Sequence, residues 1–257
     1  MQHIHLSEVG STNSYLRAYL EQEGDSGETL YVTAYAQTAG RGQRGNSWEA
    51  NPGQNLSLSL LLHPKQQDGI TLFDLNRVTS LALHELLTQL LPEKIVAIKW
   101  PNDLYVGEKK IAGILTENEW EGAHWKHAII GVGLNVLQHT FHPYHPAATS
   151  LLVEGAHLAH TACYEAWHHP LATQVVEAIT RHLDALYRSP DQVRGKYLQH
   201  LYRYQLPNAP FCLPPDSTAP DGLPFRGTII GVTPEGLLQI DTGTELRHFA
   251  FKQVQFL

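Results

Sequence analysis

Residues 95–115 read IVAIKWPNDLYVGEKKIAGIL, and this stretch predicts a β-hairpin. A β-branched run leads into Lys99, Asn102 and Asp103, and a second apolar run starts at Lys110 after a glycine turn. Ammonium and amide groups on paired strands suit an anionic ligand. The alternative is a solvated hairpin with ordinary surface lysines. We favour a binding site, because a tryptophan followed by Pro-Asn-Asp is unusual on such a hairpin.

A glycine-rich loop, Gly40-Arg41-Gly42-Gln43-Arg44-Gly45, fits the G-x-G-x-x-G spacing. A dinucleotide-binding turn of that spacing needs a strand before it and a helix after it. The predicted strand 30–36 precedes the loop, but turn residues and then the alternating strand 55–60 follow it. The pattern therefore predicts a strand–loop–strand whose free amides and arginines face an anion.

Composition excludes several classes of protein. The 257 residues carry a formal net charge of −7, which argues against a general nucleic-acid binder. We see no secretion signal and no apolar run near the roughly 20 residues that span a bilayer. The cysteines, Cys163 and Cys212, fit no metal or redox spacing, so we expect a cytoplasmic protein.

Histidine is abundant, with 16 residues. An H-x-x-H spacing recurs in three pairs: His124 and His127, His142 and His145, and His157 and His160. No third ligand accompanies any pair at a recognisable spacing. We therefore predict surface histidines and no metal site.

The order of elements predicts an α+β fold. Apolar spacing predicts helices over 13–23, from Asp74 to Pro92, and over about 171–187. Predicted strands lie at 30–36, 55–62, 95–99, 103–106, 110–117 and 126–136. Prolines crowd 205–225, so we place a domain boundary near Tyr204, between a domain of residues 1–204 and a small β-barrel of residues 205–257.

Together these segments resemble the biotin protein ligases. The motifs that carry the resemblance occur in the family's order: Gly10–Asn13, Gln37–Gly42, Trp48, Lys99–Asp103, Lys110–Leu115 and Gly131–Val136. The resemblance implies a class II synthetase-like catalytic domain, with a mixed, mainly antiparallel sheet and packed helices, followed by a small SH3-like β-barrel. Because the motifs begin by Ser11, we expect the short form, without an N-terminal DNA-binding domain.

The same resemblance implies the reaction. The carboxylate of biotin attacks ATP to give biotinyl-5'-AMP, and biotin then passes to a lysine of a biotin carboxyl carrier protein or domain. Magnesium is expected to arrive on the ATP phosphates. The expected partners are thus that carrier and the small substrates, with no nucleic acid and no membrane, while the oligomeric state stays open and includes a homodimer.

Roles for individual residues follow only from the resemblance. The implied catalytic residues are Lys110, Arg41 and Asp103. The implied biotin-binding residues are Ser11, Thr12, Asn13, Gln37, Gly40, Arg41, Gly42, Gln43, Lys110 and Gly113. The implied nucleotide-binding residues are Arg44, Trp48, Lys99, Asn102 and Asn135.

One position departs from the family pattern, and two other functions compete. Many family members carry arginine where this chain has Gln43, which puts retention of the adenylate in doubt. A lipoate or octanoate protein ligase is the nearest rival, but Ser11, Thr12, Asn13 and Gln37 suit a ureido group better than an acyl chain. A ligand-binding regulator is the rival from another class.

Overall fold

The computed structural model describes residues 1–65, 69–143, 147–158, 163–215 and 222–257, without the Arg44 side chain. Within these ranges the first sheet has seven strands in the order β1-β2-β3-β7-β6-β5-β4. Only β1 and β2 pair in parallel, so the predicted mixed, mainly antiparallel sheet is confirmed. The strands are β1 (Gln2–Val9), β2 (Leu30–Gln37), β3 (Asn55–Leu62), β4 (Val96–Lys99), β5 (Asp103–Val106), β6 (Lys109–Glu121) and β7 (His124–Asn135).

Helices cover both faces of this sheet. They are α1 (Thr12–Glu23), α2 (Leu72–Leu90), α3 (Tyr164–Arg188) and α4 (Pro190–Gln199). A small core under α1 contains Leu16, Val32 and Leu61, and a larger core joins β3 to α2 and α3 on the opposite face. Within the described ranges, no helix is both long and apolar enough to cross a membrane.

Strand β3 shows how its sequence sets the two faces. Leu56, Leu58 and Leu60 enter the larger core. Ser57 and Ser59, which alternate with them, are also buried but project to the α1 side. The alternation predicted for this strand is confirmed, and it places small polar side chains where the site forms.

The second sheet lies at the C-terminal end and confirms the predicted β domain. Its strand order is β11-β10-β9-β8-β12, with all pairs antiparallel. The strands are β8 (Ala209–Leu213), β9 (Leu223–Val232), β10 (Leu238–Asp241), β11 (Leu246–Phe249) and β12 (Gln255–Phe256). The boundary near Tyr204 stays a prediction, and residues 216–221 of the proline-rich segment lie outside the described residues.

A buried arginine fastens this second sheet to α2. Arg77 is 1% exposed, pairs with Asp74 at 2.7 Å, and donates to the carbonyls of Thr233 and Pro234 at 2.5 and 3.1 Å. The Trp100 indole N–H donates to the Gly236 carbonyl at 2.9 Å. The turn between β9 and β10 is therefore held against the large domain by charge-assisted hydrogen bonds.

Three sequence predictions need correction. Helix α3 begins at Tyr164, well before the predicted start near Leu171, because the aromatic residues ahead of Pro170 pack on the sheet and keep the chain helical. Strand β1 and helix α4 were not predicted. The prediction that the paired histidines lie on the surface is wrong for His127, which is 2% exposed, whereas His124 is exposed. His145 and His160 lie outside the described residues.

Candidate active site

A floor of very small residues lies on the α1 side of the sheet. Gly113 faces Gly133 across β6 and β7, and Gly133 faces Ser57 across β7 and β3. In the next row Gly131 faces Ser59. Residues opposite one another in antiparallel strands project to the same face. The register therefore builds a concave floor from residues that are scattered in the sequence.

The glycine loop folds over this floor and returns to it. The Trp48 amide donates to the Gly40 carbonyl at 2.9 Å, and the Gly42 amide donates to the Asn46 carbonyl at 2.7 Å. A Cβ atom at Gly40 would overlap the Trp48 carbonyl, so the return needs glycine there. The predicted strand–loop–strand is confirmed, with a short 3₁₀ turn at Gln43–Gly45.

Trp48 closes one side of the pocket. Its indole lies over the floor, where a Cβ at Gly133 would overlap it and a Cβ at Gly113 would lie 3.2 Å from Cζ3. The Lys110 ammonium is 5.5 Å from the ring centroid. The indole N–H is buried and has no hydrogen-bond partner among the described residues. The ring thus offers a flat apolar surface and a donor to a ligand.

The start of α1 supplies a polar end to the pocket. The Gln37 carbonyl oxygen accepts from the Thr12 amide at 2.8 Å and from the Thr12 hydroxyl at 3.1 Å. The Gln37 amide nitrogen donates to the Ser57 hydroxyl at 3.1 Å. The Ser59 hydroxyl lies 2.7 Å from Thr12 Oγ1 and 2.5 Å from Asn13 Oδ1, and its single proton is shared between these two acceptors. These bonds fix the orientation of the Gln37 amide and leave donors and acceptors beside the pocket.

Among the side chains that the structure describes, two cations line the pocket, and each is held by a carboxylate. Lys110 pairs with Asp103 at 2.7 Å. Arg41 pairs with Glu117 at 3.0 Å and donates to the Ser14 hydroxyl at 3.3 Å. The positive charges are therefore positioned before a ligand arrives, which lowers the cost of organising them around an anion.

Glu117 is the anchor that the sequence analysis missed. Burial alone would raise its pKa, but hydrogen bonds from Asn13 and Arg17 and the charges of Arg17 and Arg41 outweigh burial and lower the pKa below its ordinary value. Its carboxylate accepts from Asn13 at 2.8 Å and from Arg17 at 2.8 Å. No motif marks this residue, because its partners come from α1 and the glycine loop.

Most of the predicted site residues meet at this pocket. Those that line it are Ser11, Thr12, Asn13, Gln37, Arg41, Gly42, Gln43, Trp48, Asn102, Asp103, Lys110 and Gly113. Gly40 and Asn135 lie outside the pocket lining. Gly40 lies where the glycine loop returns to the floor, and Asn135 donates to the Thr149 carbonyl at 2.9 Å. The Asn102 side chain donates to the Ile114 carbonyl at 2.7 Å. The roles of all these residues in binding stay predictions.

Lys99 is placed differently from its predicted neighbours. Its ammonium lies 5.2 Å from the ring centroids of both Tyr105 and Phe256, away from the pocket lining. Burial lowers the pKa of Lys99, and the charge of Asp103 opposes that shift only in part. The predicted role of the Arg44 side chain lies outside the described residues.

The C-terminal region contributes Phe251 to the pocket, which the sequence analysis did not anticipate. The two carboxylates described above, Asp103 and Glu117, both already pair with cations. The arrangement offers no separate acidic cluster for magnesium among the described residues at the pocket, and delivery of magnesium on ATP stays a prediction.

Comparison with known proteins agrees with this geometry. The profile of the Biotin/lipoate A/B protein ligase family matches residues 8–135. The Bifunctional ligase/repressor BirA of Escherichia coli (strain K12) is 36% identical over 128 residues, which are 50% of this chain and 38% of that protein. The Biotin--[acetyl-CoA-carboxylase] ligase of Paracoccus denitrificans is 36% identical over 132 residues, 51% of this chain and 53% of that protein. The chain thus spans about half or less of the length of these relatives.

Solved structures agree in fold over the full length. The biotin protein ligase from Aquifex aeolicus in complex with biotin and ATP superposes with a TM-score of 0.74 at 24% identity, covering 100% of this chain and 99% of that chain. The matched residues 8–135 run from the end of β1 to the end of β7 and include the glycine loop, the hairpin and the floor. On these grounds the chain belongs to the biotin/lipoate A/B protein ligase family.

Proposed function

We propose that this chain is a biotin protein ligase. It joins the carboxylate of biotin to the α-phosphorus of ATP, releases pyrophosphate, and transfers the biotinyl group from biotinyl-5'-AMP to a lysine of a biotin carboxyl carrier protein or domain. The observation that carries this proposal is a pocket lined by the oriented amide of Gln37 and by two positioned cations, Arg41 and Lys110. The relative from Paracoccus denitrificans, named as a biotin--[acetyl-CoA-carboxylase] ligase, supports the same activity.

The polar end favours biotin over a simple acyl chain. A ureido ring presents N–H donors and a carbonyl acceptor, and the Gln37 and Thr12 groups can complement both. The aromatic side chains of Trp48 and Phe251 also line the pocket and suit the remainder of an amphipathic ligand. A lipoyl or octanoyl chain carries no ureido group, so it would cover these polar groups without adding a hydrogen bond to them.

The cations address the main obstacle of the first step, since a carboxylate must approach a phosphate. Lys110 and Arg41 already lie at the pocket, and each can turn from its protein carboxylate to an oxygen of the ligand. Their positive charges then stabilise the negative charge that develops where the carboxylate meets the phosphate. Released from Lys110, the Asp103 carboxylate can then accept a proton from the incoming lysine, whose free pKa is about 10.4. The Trp48 indole covers the mixed anhydride from one side and limits access of water.

The remaining parts of the proposal concern partners and location. The acceptor is a carrier lysine, and the enzyme works in a reducing cytoplasm, where Cys163 and Cys212, both free thiols here, remain reduced. Neither a homodimer nor a lack of nucleic-acid partners is required by the reaction, and both stay predictions.

The test is a transfer assay. The protein is incubated with ATP, a carrier domain, and biotin, lipoate or octanoate in separate reactions, and the carrier is weighed by mass spectrometry. We expect a single biotinyl addition, and none when the target lysine is replaced by arginine. Addition of a lipoyl or octanoyl group in preference to biotin would assign the chain to the rival activity, and no addition from any acid would overturn the ligase proposal.

A further inference from the structure

A second group of chemically active side chains lies at the opposite end of β7. Asp25 follows α1, His63 follows β3, and His127 lies near the start of β7. His127 precedes Gly131 of the pocket floor by four residues, or about 13 Å along a strand at about 3.3 Å per residue. The group is therefore separate from the candidate active site.

Both imidazoles converge on one carboxylate. His63 Nε2 lies 2.7 Å from Asp25 Oδ1, and His127 Nδ1 lies 2.9 Å from Asp25 Oδ2. The side chains of His127, Asp25 and His63 are 2%, 14% and 25% exposed. One ligand atom from each residue lies within 4.8 Å of the others. Three elements that are distant in sequence thus direct one nitrogen or oxygen each at a common point.

A fourth residue stands behind the buried imidazole. His127 Nε2 lies 3.1 Å from Glu119 Oε2, but the two atoms do not form a hydrogen bond in this arrangement. A neutral imidazole carries only one N–H, so it cannot donate to Asp25 through Nδ1 and to Glu119 through Nε2 at once. Either Nε2 faces the Glu119 carboxylate without a proton between them, or a cation takes the place of the proton between Nδ1 and Asp25 and leaves the proton on Nε2.

The second solution suits the whole cluster. With the proton on Nε2, His127 would donate toward Glu119 and present the Nδ1 lone pair to a metal, the arrangement in which an outer carboxylate orients a ligating histidine. Glu119 also pairs with Lys126 at 3.5 Å, so the Asp25 carboxylate between the two imidazoles is the negative charge that a bound cation would offset. Two nitrogens and one oxygen form a donor set typical of zinc, whereas magnesium and calcium prefer oxygens alone.

We propose that Asp25, His63 and His127 bind a divalent transition-metal ion of the Zn²⁺ class, with Glu119 as the outer partner of His127. Ligand atoms around a tetrahedral zinc ion lie about 3.3 Å apart at bond lengths of about 2.0–2.2 Å, so small side-chain rotations would admit the ion. Water completes the coordination. The ion fastens the segment between α1 and β2 to the sheet, a structural role independent of the proposed ligase chemistry.

The test uses the full-length protein stripped of metal and titrated with Zn²⁺ against a chromophoric chelator. Co²⁺ serves as a second probe, because its visible spectrum reports the geometry of its ligands. We expect one tight equivalent of Zn²⁺, a tetrahedral-type Co²⁺ spectrum and a higher Tm with metal. His63→Gln and Asp25→Asn each should weaken binding by at least 100-fold, and these partly exposed positions tolerate substitution better than His127.

Two further variants sharpen the result. His124→Gln is the matched control, because it removes an exposed imidazole three residues from His127, and it should leave affinity unchanged. Glu119→Gln should lower affinity by about 10-fold, as expected for an outer partner. The proposal is overturned if the wild type binds no stoichiometric Zn²⁺, or if His63→Gln binds Zn²⁺ as tightly as the wild type.

Discussion

Replacing Lys110 by methionine should abolish adenylate formation while leaving the fold intact. The substitution keeps most of the side-chain volume but removes the ammonium that lies 2.7 Å from Asp103 and 5.5 Å from the Trp48 ring. Loss of one positioned charge at a developing anion typically lowers the rate by about 10²–10³-fold. The ion pair is partly exposed, at 28% and 19% for its two side chains, so stability should fall by only about 1 kcal/mol.

The measurement is biotin-dependent release of pyrophosphate, alongside urea unfolding. Lys109→Met is the matched control, because Lys109 adjoins Lys110 in sequence, is 53% exposed and lies 3.9 Å from the Glu154 carboxylate. The double variant Lys110→Met with Asp103→Asn should recover stability but not activity, since it removes the unpaired carboxylate without restoring the cation. A rate for Lys110→Met within about threefold of the control would refute the assignment of this charge to the reaction.

Three other predictions follow from the same structure. Gln37→Ala should raise the KM for biotin by about 10-fold or more, because it removes an oriented amide from the pocket. Gln89→Ala, on the exposed face of α2, is the control and should leave this KM unchanged. The same KM for Gln37→Ala and Gln89→Ala would contradict a role for Gln37 in binding biotin. Arg77→Met should lower the free energy of unfolding by about 3 kcal/mol in urea, because a buried ion pair is broken; a loss below about 1 kcal/mol would contradict this. Burial, with neighbouring histidines, lowers the pKa of His3 to about 4 and of His168 to about 3. The unfolded chain therefore binds more protons than the folded chain below pH 6.5. The free energy of unfolding should decline as the pH falls from about 6.5 toward 4, by up to about 1.4 kcal/mol per pH unit for each extra proton. A urea midpoint that stays constant over that pH range would count against this prediction.

Local signals in the sequence predicted much of the fold. The alternation in β3 and the glycines before Trp48 set a strand–loop–strand without reference to distant residues. Strand β1 escaped prediction because polar residues, among them His3 and His5, occupy one of its faces and weaken the apolar pattern, although these two rings pack against the start of α3. Helix α4 has few apolar residues and is held by packing on α2 and α3. Such tertiary contacts do not show in the local pattern.

The candidate site divides in the same way. Residues within contiguous motifs, such as Arg41 and Lys110, could be named from sequence because the motif itself carries the chemistry. Glu117 could not, since its importance depends on which elements become its neighbours in the fold. Gly133 lies within the motif Gly131–Val136, but its place in the pocket floor depends on the register of β6 and β7. The cluster that contains His127 joins positions 102 and 38 residues apart, so the H-x-x-H spacing was uninformative about it.

The central claim is that this pocket joins biotin to ATP, and the most direct measurement needs no acceptor protein. The purified protein is mixed with biotin and ATP labelled at the α-phosphate, quenched with acid within one turnover, and examined for labelled biotinyl-5'-AMP. We expect the wild type to form the adenylate with biotin, and Lys110→Met to form it at about 1% of the wild-type rate or less. A wild type that forms no adenylate with biotin, or that forms lipoyl-adenylate equally well, would contradict the claim.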